Sequence, residues 1–294
     1  MTILAYYYKI LYMKPTPEFS TLAKNTILFL REKGFSLPLK NVAIAVSGGS
    51  DSVALFHLLM QTNNKIIDQS SARVVHINHN WRGLQSLNDQ KFVEALAARY
   101  NLPCDSYSVS PPEDNSLSAE SYARLQRKEA FSKYEAVLTA HTSNDLYETI
   151  LWKTLQGKDP GVGIKIQHSN EIRPFLIFEK SLLQSYLTSY NFTWCEDATN
   201  HDGKLLRSMM RKKLMPTLKE IFPDSKDLVV KKALGINWLP KFHEKDSRKK
   251  IKELLKLPPS SREIAKAWAE FESSVSLATI VARRKARQAK NNNK

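Results

Sequence analysis

Val42-Ala43-Ile44-Ala45-Val46-Ser47-Gly48-Gly49-Ser50-Asp51-Ser52 is the stretch that sets the fold class of this chain. Its first five residues form an apolar run that reads as a buried strand. A loop of small residues follows, and then a helical pattern carrying Val53, Leu55, Phe56, Leu58 and Leu59. Strand, small-residue loop and helix together present backbone N–H groups to a phosphate. Glycines let the backbone approach the anion, and the helix N-terminus adds partial positive charge. Ser47 and Ser52 add hydroxyl donors. Asp51 does not suit a loop that only holds an anion, because a carboxylate beside phosphate is repulsive unless a cation lies between them; it points to Mg2+. The plain alternative is an ordinary strand-to-helix turn, and five specified residues in the right context argue against it. The loop is not a Walker A loop, since no lysine follows Gly49 at the required place, and it is not Gly-x-Gly-x-x-Gly.

Working outward, an amphipathic helix is expected over 16–33, with Phe19, Leu22, Ala23, Ile27 and Leu30 on one face, ended by Gly34. Strands at 42–46, 73–78, 105–109 and 136–140 alternate with helices at 51–61, 86–100 (capped by Ser86), 117–134 and 144–155 (with Asn144 as its cap). Such alternation implies an α/β fold with a doubly wound parallel sheet covered on both faces. Ligands bind such sheets at the C-terminal strand ends, where Ser47, His76, Asn78 and His141 fall. Residues 157–163 read as a loop. Beyond about 176 the strand rhythm stops, with helices expected at 179–190, 204–222 and 226–236 and two lysine-rich helical segments near 245–256 and 261–287. The expected organisation is a helical extension over 1–35, a nucleotide-binding catalytic domain over 36–175, and a helical basic region over 176–294 ending in a disordered tail from 288.

The net charge of +15 is placed unevenly. Residues 1–202 carry 20 Lys+Arg against 20 Asp+Glu, whereas residues 203–294 carry 24 against 9. A neutral half joined to a basic half points to a polyanionic partner, foremost nucleic acid; a solvated basic surface is the plain alternative. Cys104 and Cys195 form neither a Cys-x-x-Cys pair nor a zinc spacing, and a reducing cytosol suits them. Met1–Met13 is apolar but too short to span a bilayer and lacks the marks of a secretory signal, which leaves Met13 as an alternative initiator. A cytoplasmic protein is expected.

Four further stretches carry chemistry. The first is His76-Ile77-Asn78-His79-Asn80-Trp81-Arg82 with Ser86 downstream. The second is Glu120-Ser121-x-Ala123-Arg124-x-x-Arg127, whose charged residues share one helical face. From spacing alone that face would be a surface ion-pair ladder. The third is His141-x-x-Asn144-Asp145-x-x-Glu148-Thr149, in which Asp145 and Glu148 lie one turn apart. Two carboxylates beside phosphates are costly unless they bind Mg2+ or an ammonium, while either one alone reads equally as a solvated first-turn acid. The fourth joins Arg173-Pro174, Trp194-x-Glu196-Asp197-Ala198-Thr199-Asn200, Arg207-x-x-x-Arg211 and Leu214-x-Pro216.

The 47–52 loop resembles the PP-loop of the ATP pyrophosphatases, and the four stretches narrow the resemblance, over about residues 40–220, to the tRNA(Ile)-lysidine synthetase family. Trp81 stands where that family usually has Leu, Asn144 where it often has Asp, and Ser208 where Asn is usual. The 157–163 loop is degenerate against the family's glycine-rich pattern.

The resemblance implies an adenine nucleotide α-hydrolase-like fold and a ligase that uses ATP, Mg2+ and free L-lysine on the CAU-anticodon isoleucine tRNA. It implies ATP binding by Ser47, Gly48, Gly49, Ser50, Asp51, Ser52, His76 and His141, and Mg2+ on Asp51 and Asp145. Asp51, Asp145 and Glu148 would be catalytic. Arg82, Glu120, Arg124, Arg127 and Glu148 would hold the adenylated intermediate or the lysine, and Arg207, Arg211, Lys212 and Lys213 the tRNA. The alternatives are a PP-loop tRNA thiolase, which commonly wants paired cysteines, GMP-synthetase-like chemistry, and a non-catalytic RNA-binding protein. The oligomeric state is open, a homodimer included.

Overall fold

The computed structural model describes residues 15–78, 80, 83–109, 119–195 and 209–236. The expectations for Met1–Met13, Arg82, the 196–200 stretch, Arg207, the lysine-rich helices and the tail lie outside these residues, and of Glu120 only the backbone is described.

A six-stranded sheet has the order β3-β2-β1-β4-β6-β5. Its strands are β1 (Val42–Ala45), β2 (Arg73–Asn78), β3 (Cys104–Ser108), β4 (Ala136–Leu138), β5 (Gln167–His168) and β6 (Glu171–Ile172). All pairings are parallel except β5 with β6. The helices are α1 (Pro17–Glu32), α2 (Ser50–Gln61), α3 (Leu84–Arg99), α4 (Ala119–Phe131), α5 (Ser143–Leu155), α6 (Lys180–Ser189), α7 (Met215–Ile221) and α8 (Ser225–Leu234), with a π-helical turn over Met210–Leu214. The expected α/β sheet is present, extended by a short antiparallel edge.

Register shows why both faces are buried. Ile44 lies beside Val74 on one side and Leu138 on the other, and these three belong to the larger core with Leu22 and Leu30 of α1, Phe56 of α2 and Leu183 of α6. One residue earlier, Ala43 lies beside Val137, and with Val75 it packs against Phe131 of α4 on the opposite face. Alternation along a strand thus feeds two apolar layers. α2 is buried at every position from Ser52 to Met60, so the helix that begins in the loop is a core element fixed on all sides.

Two expected caps differ. α3 starts at Leu84, after Gly83 with φ of 52°, so Ser86 is inside the helix and does not cap it. The start of α5 is closed by Thr142 and Asp145: the Thr142 backbone N–H and hydroxyl both donate to Asp145 Oδ2 at 2.8 Å, and Asp145 N–H donates to Thr142 Oγ1 at 3.4 Å. This reciprocal capping leaves Asn144 for another task.

By their internal contacts the described residues fall into two compact units, one lying within 1–146 and 165–202 and the other within 147–164 and 203–294; the division falls within α5. The first contains the whole sheet. In the second, the Tyr147 and Ser225 hydroxyls lie 3.0 Å apart, tying α5 to α8. The π-helical turn sits just before Pro216, which lacks the N–H that would bond the Lys212 carbonyl in an α-helix. Among the described residues no helix is long and apolar enough to cross a membrane.

Candidate functional site

β1 continues on one side to β2 and β3, and on its other side lies β4, so the strand order reverses between β1 and β4. A cavity of about 600 Å³ opens there, where doubly wound sheets bind ligands. The loop after β1 contributes Ser47, Asp51 and Ser52, the end of β2 contributes His76 and Asn78, and the segment after β4 contributes His141 and Asp145. Arg127 of α4 also lines it; Arg124 is not among the lining residues.

The loop is held by its own hydroxyls. Ser52 Oγ donates to the Gly49 carbonyl at 2.9 Å and accepts from the Ser47 N–H at 3.1 Å, and the two serine hydroxyls lie 3.1 Å apart. Gly48 has φ of +95°, and a Cβ there would meet Cys195 Sγ at 3.3 Å, so conformation and space both call for glycine. Gly49 caps α2 without any side-chain bond to the first turn. The opening N–H groups of α2 therefore have no side-chain cap, the condition under which a helix start binds an anion.

Asp51 sits in that first turn. Burial raises its carboxyl above the usual range, the Lys180 ammonium opposes this, and the charge of Asp145 adds to the rise. Lys180 Nζ donates to Asp51 Oδ2 at 3.2 Å, and Ser50 Oγ donates to Oδ1 at 3.2 Å. The charge of Asp145 thus reaches Asp51, both line one cavity, and these are two carboxylates that could hold Mg2+.

His76 is buried, and burial lowers its pKa. Its Nδ1 lies 2.8 Å from the Val46 carbonyl, which can only accept, so Nδ1 carries the hydrogen. Nε2 is then an acceptor, buried and without a hydrogen-bond partner among the described residues. Burial also pushes His141 down to about 4, against the charge of Asp145, and its Nδ1 lies 3.0 Å from Thr139 Oγ1. Both histidines are neutral near pH 7 and offer polar atoms rather than charge.

Glu148 and Arg211 belong to the second unit. The Glu148 carboxylate is buried and receives a two-pronged bond from Arg211, Nε to Oε2 and Nη2 to Oε1, the latter at 3.1 Å. The carboxylate expected to receive an ammonium is held by a guanidinium. Lys212 and Lys213 follow on the exposed side of the π-helical turn.

Sequence reasoning missed Asp89 and Thr139, which line the cavity, and above all Lys180. A lysine opening a helix 129 residues after Asp51 carries no spacing signal. Arg173 was expected, and it is held inside the first unit by Glu171 at 2.8 Å and the Lys165 carbonyl at 3.0 Å.

Three curated relatives, each called tRNA(Ile)-lysidine synthase, resemble the chain. The Thermotoga maritima protein is 30% identical over 217 residues, which are 70% of this chain and 52% of the relative. The Thermus thermophilus protein is 34% identical over 198 residues, 64% of this chain and 38% of the relative. The Chlamydia pneumoniae protein is 33% identical over 195 residues, 62% and 59%. The chain thus spans about half the length of the curated relatives it matches. Among solved structures, the U34-tRNA thiolase NcsA from Methanococcus maripaludis, with its [4Fe-4S] cluster, superposes with a TM-score of 0.59 over 74% of this chain and 78% of its own, at 13% identity, a likeness of fold alone. The family model described as a PP-loop domain matches residues 20–218, more than half of the chain, and the chain belongs to the PP-loop domain family.

Proposed function

We propose that the protein is an ATP-dependent ligase that attaches L-lysine to C2 of the wobble cytidine in the CAU-anticodon isoleucine tRNA. The observation that carries the proposal is the cavity at the strand-order reversal, where an uncapped helix start, the 47–52 loop and the carboxylates of Asp51 and Asp145 meet. The names of the curated relatives support the choice of substrate.

In the proposed reaction the cytidine O2 attacks the α-phosphorus of ATP and pyrophosphate leaves. The ε-amine of lysine then attacks C2, and AMP departs with the former O2. The loop N–H groups and the Ser47 and Ser52 hydroxyls would bind the pyrophosphate portion. Asp51 and Asp145 would hold Mg2+, which supplies charge neutralisation at the phosphates. His76 Nε2 would accept a hydrogen bond from the nucleotide, and Arg127 would face the adenylated intermediate. Arg82, Glu120 and Arg124 are proposed for the same intermediate. Glu148 is proposed to bind the lysine ammonium and help its proton depart, exchanging Arg211 for it. Arg207, Arg211, Lys212 and Lys213, within the basic region that begins near 203, would contact the tRNA backbone.

The test combines the full chain, Mg2+, ATP, labelled lysine and transcripts of the CAU isoleucine tRNA and the elongator methionine tRNA. ATP-dependent label on the first tRNA only is the expected result. Pyrophosphate release without label would move the nucleophile elsewhere. Label formation retained in a Cys104→Ala/Cys195→Ala double variant would exclude the thiolase reading. RNA binding with neither label nor pyrophosphate would favour the non-catalytic one.

A further inference from the structure

The 47–52 loop lacks the lysine that a Walker A loop carries within itself. A lysine reaches it from elsewhere. Lys180 is the first residue of α6, and its Nζ lies 3.2 Å from Oδ2 of Asp51, which lines the cavity.

The backbone beneath this lysine is held in place. Its N–H donates to Asn144 Oδ1 at 3.1 Å, and two residues earlier the Phe178 carbonyl accepts from both the Ser143 N–H, at 2.9 Å, and the Ser143 hydroxyl, at 2.8 Å. The start of α6 is thereby fastened to the start of α5, from which Asp145 enters the same cavity. Asn144 acts here as an acceptor for the first N–H of α6, and it does so without adding a third carboxylate near Asp51 and Asp145. The side chain above this anchor is free to turn: Lys180 is 47% exposed and bonds Asp51 through one contact, whereas Asp51 is 23% exposed. A lysine ammonium is a compact charge on a flexible stem with three donors, suited to exchanging one oxyanion for another.

We propose that Lys180 is a pyrophosphate-binding catalytic residue, which exchanges its single bond to the Asp51 carboxylate for the β- and γ-phosphate oxygens of ATP. The proposal rests on the nucleotide reading given above and deepens it. The exchange breaks and forms hydrogen bonds only. It frees an Asp51 oxygen at the moment phosphate arrives, so the loop receives a cation and the carboxylate becomes available together. A lysine placed there would also follow the charge that gathers on the leaving pyrophosphate as its bond to the α-phosphorus breaks.

The experiment is calorimetric titration of the full chain, with Mg2+ present, by inorganic pyrophosphate and separately by AMP. Wild type is compared with Lys180→Ala, Lys180→Gln, which keeps most of the stem, and Lys180→Arg. The expected result is a roughly 10- to 100-fold loss of pyrophosphate affinity in the Ala and Gln variants, the scale of one charge-assisted hydrogen bond. AMP affinity should stay within about 2-fold, because AMP lacks the phosphates the lysine would reach, and Arg should restore most of the loss. Equal loss for both ligands would mean that Lys180 only supports the loop, and unchanged pyrophosphate binding in a folded Gln variant would exclude the contact; either result overturns the proposal. Wild-type protein that binds neither AMP nor pyrophosphate would remove the nucleotide reading itself, a failure seen before any variant is compared.

Discussion

Asp51 and Glu148 are each held by a cation, and they are held differently. Asp51 meets Lys180 through one hydrogen bond of 3.2 Å, and the lysine is half exposed. Glu148 meets Arg211 through both of its oxygens. A single bond to a flexible ammonium is easily given up to an incoming anion, whereas a guanidinium fork fixes position and orientation and must lose two bonds at once. The first arrangement suits a group whose partner changes, and the second suits a group kept in one place until a competing cation arrives.

The comparison can be broken or sharpened by substitution. The largest effect is expected from Asp51→Asn. With Asp51 as a holder of Mg2+ at the phosphates, pyrophosphate release should fall by about 10²- to 10³-fold with the melting temperature little changed; near-normal turnover would end its role. The second effect is on stability. Arg211→Ala removes both bonds from a carboxylate that is only 7% exposed, and should cost about 1–2 kcal/mol in urea denaturation, a figure reduced because Arg211 itself is 51% exposed. Glu148→Gln should cost less, since the neutral amide leaves no buried charge behind. The smallest effect is expected at Lys180→Ala, about 0.5 kcal/mol or less on the same scale, because the pair is exposed on the lysine side. A loss at Lys180 equal to that at Arg211 would erase the distinction between the singly and the doubly bonded pair.

Much of the first unit was legible in the sequence because its physics is local. The apolar run 42–46 and the stripes of α1 and α3 have periods that announce buried elements, and strand–helix alternation places Ser47, His76 and His141 at one sheet edge. The edge pair β5–β6 was not legible. Its strands are two residues long, with Gln167, His168 and Glu171 among their four residues, too short to show a period. Lys180 was invisible for another reason: exposed lysines are common, and only the folding of α6 against α2 and α5 gives this one a carboxylate. Arg211 was legible as a cation but not as the partner of Glu148, because charge patterning tells which residues are ionic and not which pairs meet. Asn144 was misjudged as a local cap, since Thr142 and Asp145 satisfy that helix start between themselves.

His57 lies in α2, the same helix that opens in the phosphate loop, and stacks on Phe192 with ring centres 3.6 Å apart and planes within 3°. Its Nδ1 lies 3.0 Å from the Tyr100 hydroxyl. Burial, and then the charge of Arg99, pushes its pKa down from 6.5 to about 3. The folded protein therefore refuses a proton that the unfolded chain accepts. His57 contributes its full share of stability above pH 6.5, and that share is lost as pH falls from 6.5 towards about 3, with a slope of about 1.4 kcal/mol per pH unit for one proton. His57→Gln should flatten the dependence of the urea midpoint on pH in that window. Acid resistance is thus limited from inside the aromatic core, by a ring in the helix whose first turn is the proposed seat of the phosphates.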